Sequence, residues 1–328
     1  MSMSKKITIS QAINQAMCEE MSQDENIYLM GQDVGKYGGC FGVSIGMYDK
    51  FGPERVIDTP ISEAVVCAMG VGSAMTGKRP IIELMFADFV SLAFHSIVMQ
   101  AAKMCYVADG KASVPIVFRA PQGVGVSGGI HHSNNVEAWL MNVPGLIVVS
   151  PSTPADAKGL MKAALRSNDP VVFLEHKAQY GQKGQVPAAD YITPLGKADV
   201  VKEGTDVTVI ASQLMRNFAE EAIKEIEKEG ISVELIDPRT IRPFDKEAFC
   251  NSAKKTGRVI IVNEHPVLGG VGGEYAAAIQ EECFSYLKAP VRRVGQLETS
   301  IPWGPDEEMY VVPSKETIVS AIKNIMNQ

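Results

Sequence analysis

Short apolar runs rich in β-branched residues alternate with helix-like segments along nearly the whole chain, and this alternation limits the possible fold more than any other feature. It predicts an α/β protein in which parallel strands form a sheet with helices on its faces. The predicted strands of the first half are Ile27 to Met30, Ile81 to Met85, Val114 to Arg119, Leu146 to Ser150 and Val171 to Glu175. The predicted helices between them are Ser10 to Met21 with a Ser N-cap, Ser62 to Met75, Phe89 to Tyr106, and Thr153 to Arg166 with Thr153 and Pro154 opening it.

The alternation lapses once, in a polar stretch from Lys177 to Lys197 that contains two Gly-Gln pairs and two prolines. Such a composition is typical of a linker. We therefore predict two domains, residues 1–190 and a smaller one at 191–328, and the length of the chain suits two cores. In the second domain the predicted elements are strands Val207 to Ala211, Ser232 to Ile236, Val259 to Asn263 and Val291 to Val294, and helices Asn217 to Glu229 and Gly273 to Tyr286.

Composition excludes several classes of protein. The net charge of −7 and the lack of a basic stripe argue against nucleic-acid binding, so a small molecule or a protein is the expected partner. Met1 to Lys6 is polar and shows no secretory or transit signal. The apolar run Val65 to Met75 is too short to span a bilayer. Six scattered cysteines without a CxxC pair are typical of reduced thiols, and we predict a cytoplasmic protein without a membrane span.

Glu63 is the first candidate functional residue. It falls in the first turn of the predicted helix that follows Asp58-Thr59-Pro60. By itself, an acidic residue in this place is more typical of helix-dipole stabilisation, worth ~0.3–1 kcal/mol, than of chemistry. Further context is needed before Glu63 can be given a role.

A glycine-rich segment, Gly123 to Gly129, leads into His131 and His132. Histidine exchanges protons near neutral pH, and the segment follows a predicted strand end, where open α/β sheets bind ligands. A histidine without function in a loop is the alternative. The segment also fits the GxSxG pattern of hydrolases, but no strand leads straight into Ser127 and no helix follows it, which argues against a nucleophile elbow.

Two other glycine patterns fail on inspection. Asp109-Gly110 followed by Asn134-Asn135 is similar to the diphosphate-binding signature of thiamine enzymes, but Ala108 replaces the first glycine and a whole strand intervenes. Gly269 to Gly273 lacks the third glycine of a dinucleotide-binding GxGxxG, so a tight turn or a helix start is the better interpretation.

Longer segments carry a resemblance to a known family. In chain order they are GQDVGKYGGCFGVSIGMYDKFGPERVIDTPISEA, GKRPIIELMFADF, GGIHHSNNVEAW, PGLIVVSPSTPADAKGL, DPVVFLEH, GTDVTVIAS and ELIDPRTIRPFD. Together they resemble the β subunit of the thiamine-diphosphate-dependent first component of 2-oxo acid dehydrogenase complexes, which include pyruvate, branched-chain and acetoin members. The resemblance covers nearly the whole chain.

The resemblance implies a pyrimidine-binding domain followed by a transketolase-like C-terminal domain. It implies that a separate α subunit holds the diphosphate and Mg²⁺, which agrees with the missing signature. By position, Glu63 matches the glutamate that hydrogen-bonds the aminopyrimidine ring of the cofactor, Phe89 matches the aromatic contact to that ring, and His132 matches the active-site histidine. A carboxylate at the ring nitrogen favours the tautomer that takes a proton from the thiazolium carbon, and the histidine assists proton transfers at the substrate.

Three places depart from the family pattern: His95-Ser96, His131 and Asn134-Asn135. They leave the cofactor expectation intact and bear on the substrate, for which the sequence favours pyruvate or acetoin without excluding a branched-chain 2-oxo acid. The resemblance further implies an α2β2 heterotetramer, docking to the acyltransferase core, and a structural K⁺ near Asp156. Two alternatives stay open: the C-terminal half of a split transketolase, against which Ala64 after Glu63 argues, and a scaffold without catalytic function.

Overall fold

The computed structural model describes residues 4–328, so the first three residues of the predicted N-terminal segment lie outside it. The chain forms two compact units. One comprises the chain up to Gln122 together with Trp139–Leu195, and the other comprises Gly123–Ala138 with Gly196–Gln328. The predicted boundary between residues 190 and 191 stays a prediction. We call the first unit the N-terminal unit and the second the C-terminal unit.

The N-terminal unit is built on parallel strands. Six of them lie side by side in the order β6-β7-β5-β4-β2-β3, and a separate antiparallel pair joins β1 to β8. The strands are β1 (Lys5–Thr8), β2 (Ile27–Gly31), β3 (Val56–Asp58), β4 (Arg79–Glu83), β5 (Val117–Gln122), β6 (Ile147–Val149), β7 (Val171–His176) and β8 (Lys183–Val186). Every residue of β5 and β7 is buried, as expected when helices cover both faces of a parallel sheet.

The helices of this unit follow the loops that leave the strand ends. They are α1 (Ile9–Gln23), α2 (Met47–Phe51), α3 (Glu63–Met75), α4 (Val90–Phe94), α5 (Ala102–Val107), α6 (Glu137–Met141) and α7 (Pro154–Arg166). Helix α6 spans the junction of the two units. A 3₁₀ turn at Ala87–Phe89 precedes α4, a π-helical segment at His95–Ala101 separates α4 from α5, and a further 3₁₀ turn covers Lys177–Gln179.

In the C-terminal unit, five strands lie in the order β14-β13-β10-β11-β9, all parallel except β9. The five strands are β9 (Asp199–Lys202), β10 (Val207–Ala211), β11 (Val233–Asp237), β13 (Val259–Pro266) and β14 (Arg292–Gln296), and β12 (Thr240–Arg242) is a short strand outside this sheet. The helices are α8 (Gln213–Ile226), α9 (Lys246–Thr256), α10 (Val271–Cys283), α11 (Pro305–Val311) and α12 (Lys315–Met326), with 3₁₀ turns at Gly129–His131, Glu227–Glu229 and Phe284–Tyr286. Each unit has its own apolar core.

The predicted α/β architecture is confirmed, and three local predictions were wrong. Helix α1 begins at Ile9 with Thr8, not Ser10, as its N-cap. The Thr8 hydroxyl accepts a hydrogen bond from the backbone N–H of Gln11, and the Gln11 side chain accepts one from the backbone N–H of Thr8. The predicted linker contains strand β8, whose polar residues pair with β1 at an exposed edge. The helix predicted from Phe89 to Tyr106 is a composite of 3₁₀, α and π turns.

Candidate active site

Glu63 is the first residue of α3, immediately after the segment that follows β3. Its side chain is 6% exposed, and its Oε1 accepts a hydrogen bond of 3.3 Å from the Gln32 amide, which follows β2. Within residues 4–328, Oε2 makes no hydrogen bond. Because carboxyl ends of parallel strands share one edge of a sheet, β2 and β3 bring both side chains to the ligand-binding edge. The structure therefore presents a buried carboxylate with one oxygen left for a ligand.

Cys67 lies one turn after Glu63 on α3, and its pKa reflects the burial and the negative charge around Glu63. Burial raises the pKa of the Cys67 thiol to about 12, and the negative charge of Glu63 adds to the rise. The thiol is fully buried. Cys67 is therefore protonated at neutral pH and cannot act as a nucleophile.

Phe89 ends the 3₁₀ turn that follows β4. Its ring contacts Phe86 edge to face, with 5.8 Å between ring centroids, and Phe86 contacts Phe41 in the same way at 5.7 Å. The Phe89 side chain is half-buried in this row. The row holds the ring of Phe89 at the same edge of the sheet that carries Glu63.

The π-helical segment holds the first departure from the family pattern. The hydroxyl of Ser96 donates a 3.4 Å hydrogen bond to the carbonyl of Ala64, the residue after Glu63, and Ser96 is buried. His95 is exposed and lies 3.1 Å from the Gln100 amide. Ser96 thus supports the first turn of α3, and π segments of this kind are frequent near functional sites.

A buried ionic network spans the carboxyl ends of β4, β5 and β7. Arg119 donates to both oxygens of Glu175 at 2.7 and 2.8 Å and also to Glu83, and the Tyr180 hydroxyl donates to Glu175 at 2.6 Å. Burial raises the pKa of Glu83, although Arg119 opposes the rise. Sequence reasoning missed this network, which ties β4, the strand before the Phe89 turn, to β5 and β7.

The segment Gly123–Ala138, which we call the histidine loop, belongs to the C-terminal unit. It carries the 3₁₀ turn Gly129–His131, after which His132 is half-buried while His131 is exposed. The structure thus places Glu63 and Phe89 in one unit and His132 in the other. Strand β5 ends at Gln122, well before Ser127, and only the short 3₁₀ turn Gly129–His131 follows Ser127, so the local fold is not that of a nucleophile elbow.

Three further residues near the predicted positions were missed by sequence reasoning: Gln32, Glu264 and Glu308. Gln32 stands in the longest family-like segment and follows a strand, which could have pointed to it. Glu264 and Glu308 accept hydrogen bonds from the histidine loop across more than a hundred positions of sequence, and no local pattern marks them.

Comparison with known families first defines the class. The model named "Transketolase, pyrimidine binding domain" matches residues 5–183, and "Transketolase, C-terminal domain" matches residues 196–318. Among solved structures, "Split gene transketolase, inactive beta4 tetramer" is 25% identical with a TM-score of 0.80, and the alignment covers 100% of this chain and 99% of that one. The predicted two-domain transketolase-like fold is confirmed, and with it the class of thiamine-diphosphate-dependent enzymes.

Curated relatives then give the family. The "2-oxoisovalerate dehydrogenase subunit beta" of Bacillus subtilis (strain 168) is 47% identical, and the alignment covers 96% of this chain and 97% of that protein. The "Pyruvate dehydrogenase E1 component subunit beta-1, mitochondrial" of Oryza sativa subsp. japonica is 42% identical over 97% of this chain and 86% of that one. The chain belongs to the β subunits of the E1 component of 2-oxo acid dehydrogenase complexes, which are oxidoreductases. A partner α subunit and a multienzyme complex follow from that membership.

One apolar stretch bears on the predicted lack of a membrane span. The continuous helical segment Ala87–Val107 is long and apolar enough to cross a bilayer, judged by length and composition only, and 33% of its most apolar window is buried. A single segment of this kind is weak evidence, since core helices pass the same test.

Proposed function

We propose that Glu63 is the proton-relay partner of the cofactor's aminopyrimidine ring, that Phe89 contacts this ring and that His132 assists proton transfer at the substrate. The buried Glu63 carboxylate at the start of α3, with Oε1 occupied by Gln32 and Oε2 open, carries the proposal. This donor set fits a ring nitrogen, which a carboxylate oxygen can bind through a shared proton. When bound, thiamine diphosphate supplies the electron sink for cleavage beside the 2-oxo group.

Gln32, Phe89 and His132 have separate tasks in the proposed site. Gln32 keeps Oε1 directed and leaves Oε2 to hold the proton, while the burial of Glu63 excludes water that would compete for it. The half-buried ring of Phe89 offers an apolar face to a flat heterocycle. The imidazole of a histidine can give and take a proton within one turnover, and we assign that work to His132.

The diphosphate and Mg²⁺ are proposed to lie in the α subunit. In support of this, Asp109 and Gly110, the nearest match to a diphosphate signature, form a turn after α5 with positive φ angles, and the Asp109 side chain pairs with Lys111 at 3.4 Å while 90% exposed. A turn of this kind ends a helix and does not enclose a phosphate. The α2β2 assembly, the docking to a dihydrolipoyl acyltransferase core and the K⁺ near Asp156 stay predictions from the family.

The proposed reaction is oxidative decarboxylation of a 2-oxo acid. The carboxylate leaves as CO₂, and the acyl group passes to lipoamide, whose disulfide is reduced as it accepts the group. The relatives named for 2-oxoisovalerate and pyruvate support a 2-oxo acid, and acetoin, which the sequence also favoured, stays in the test. A cytoplasmic location is part of the proposal. It is supported by six free cysteines, a state typical of reducing compartments.

The experiment is co-expression with the α-subunit gene, followed by thiamine-diphosphate-dependent dye reduction with pyruvate, 2-oxoisovalerate and acetoin in parallel. Activity with one donor is the expected result and identifies the substrate. A stable complex that is silent on all three donors would contradict the proposal. The likeness to a split-gene transketolase makes a ketol-transfer assay the second arm, and activity there would favour that alternative.

A further inference from the structure

Two buried carboxylates of the C-terminal unit accept four hydrogen bonds from the histidine loop. We infer that Glu308 and Glu264 are positioning residues, which fix the direction of the His132 imidazole through the loop that carries it. The inference rests on the role proposed above for His132. It assigns the control of that histidine to residues more than a hundred positions away in sequence.

Glu308 uses both carboxylate oxygens on the loop. Its Oε2 accepts from the backbone N–H of Ser127 at 2.9 Å, and its Oε1 accepts from the hydroxyl of Ser133 at 3.1 Å. Glu308 is only 1% exposed, and within residues 4–328 no lysine or arginine pairs with it. A buried charge is tolerated when hydrogen bonds satisfy it, and here the donors Ser127 and Ser133 both belong to the loop. The loop and the carboxylate therefore stabilise each other.

The two donors flank the histidines. Ser127 precedes them and adopts a left-handed conformation with φ of 54°, which a non-glycine residue rarely takes without local support. Its bonded N–H supplies that support. Ser133 follows His132 directly, so the bond from its hydroxyl restrains the peptide next to the imidazole. Loss of the Glu308 carboxylate would release the backbone on both sides of His131 and His132.

Glu264 closes the loop at its base. A single oxygen, Oε1, accepts from the backbone N–H of Val124 at 2.8 Å and from the side-chain amide of Asn135 at 3.0 Å. Val124 is itself fully buried in a small apolar cluster with Ile301, Val311 and Val312. Glu264 lies on β13 and is 7% exposed. The first and last parts of the loop are thus joined at one point on a rigid strand.

Trp303 restrains the middle of the loop. A Cβ atom built on Gly129 would lie 2.4 Å from the Trp303 ring, and Gly129 has φ of 64°, so only glycine fits there. The base, both flanks and the middle of the loop are all held. A loop held in this way keeps an imidazole in one direction, which is what a group that moves protons within one turnover requires.

The test uses the complex with the α subunit and the variant Glu308→Gln, which keeps the size of the side chain but offers only one acceptor oxygen. We expect kcat for the 2-oxo acid to fall about 10- to 100-fold, the loss typical of a misplaced catalytic group. The affinity for thiamine diphosphate should stay within about twofold of the parent, since the cofactor-ring residues are untouched. Backbone hydrogen exchange across residues 123–138 should become faster. Glu307→Gln, an exposed neighbour on the same helix, is the matched control and should change none of these values.

A double variant separates positioning from general damage. His132→Asn alone should lose activity, and Glu308→Gln added to it should cause little further loss, because both changes act through the same imidazole. A full multiplicative loss would overturn the positioning role while leaving His132 in place. Full activity of His132→Asn would instead remove the proposed role of His132 and, with it, this inference.

A milder variant keeps the test decisive should Glu308→Gln fold poorly. Ser133→Ala removes one of the two bonds to Glu308 and leaves the carboxylate in place. We expect a drop in kcat of about 3- to 10-fold, smaller than that of Glu308→Gln, because a one-bond loss misplaces the group less. Unchanged kcat together with unchanged hydrogen exchange in the loop would contradict the inference.

Discussion

The proposed role of Glu63 can be tested by replacing one carboxylate oxygen with an amide nitrogen. Glu63→Gln keeps the shape of the side chain and removes the negative charge that, in the proposed role, would stabilise a proton on the ring nitrogen of the cofactor. We expect kcat of the α–β complex to fall about 100-fold or more, the size of an acid–base contribution, while the complex still assembles. Dye reduction and gel filtration measure the two quantities.

Glu54→Gln is the matched control for this variant, because Glu54 is exposed and precedes β3 in the same region of the chain. It should retain the activity of the parent. If Glu63→Gln turned over substrate at the parental rate, the assignment of Glu63 would be wrong and the scaffold alternative would regain support.

Thiol chemistry gives a second prediction for single residues. Burial and the charge of Glu63 raise the pKa of Cys67 to about 12, so at pH 8 its thiolate is about one part in ten thousand, since each pH unit is a tenfold change in the ratio. Cys105 is exposed. In the isolated native chain, a maleimide should label Cys105 and leave Cys67 unmodified, as read by peptide mass spectrometry. Comparable labelling of both would mean that α3 is more open than described.

Single residues were predictable where chemistry and local sequence coincide. Glu63 stands at a helix start inside a family-like segment, and His132 follows a glycine run, so both could be chosen from the sequence; their roles remain predictions. Glu264 and Glu308 could not be chosen, because their only distinction is a contact formed by folding. An acidic residue on a strand or in a helix gives no sign of its partner in sequence.

At the level of elements, the buried network of Arg119 predicts a graded loss of stability. Glu175→Gln removes the bidentate carboxylate of Arg119 and leaves Glu83 as its remaining carboxylate partner, so we expect a cost of about 3 kcal/mol, the lower end of the range for breaking a buried pair. Tyr180→Phe removes only one hydrogen bond to Glu175 and should cost about 1–2 kcal/mol. The free energy of unfolding from urea titration of the isolated chain measures both.

The order of the two losses is the decisive part of this prediction. If both variants lowered the free energy of unfolding equally, the Arg119–Glu175 pair would not be what stabilises β4, β5 and β7. A loss below about 1 kcal/mol for Glu175→Gln would match an exposed ion pair rather than a buried one.

Elements were predictable where burial follows a regular period. Strand β10 was predicted at its observed bounds, and α7 was predicted with its Thr153 cap, since apolar runs and caps are local signals. Strand β8 was mistaken for a linker because its residues are polar and it pairs only with β1. The π segment at His95–Ala101 was missed because a change of helical pitch leaves no trace in apolar spacing.

For the whole molecule, we expect the isolated chain to be inactive. Glu63 and Phe89 would bind one half of the cofactor, and the proposed partner supplies the other half. Dye reduction with a 2-oxo acid should be undetectable with the purified chain and should appear when the α subunit is added. Activity of the chain alone would contradict the proposed division of the site between subunits.

The route of the chain between the two units has a consequence for how the protein can be divided. The chain passes from one unit to the other at three points, after Gln122, after Ala138 and after Leu195, so no single cut separates them. A fragment ending at Leu195 would retain the histidine loop but lose the carboxylates that hold it, and the remaining fragment would keep Glu264 and Glu308 without the loop groups that donate hydrogen bonds to them. Each unit has its own core, but each is made of two separate segments of the chain. A gene rearrangement that cuts the chain once, and so moves one unit, must therefore carry a segment of the other unit with it.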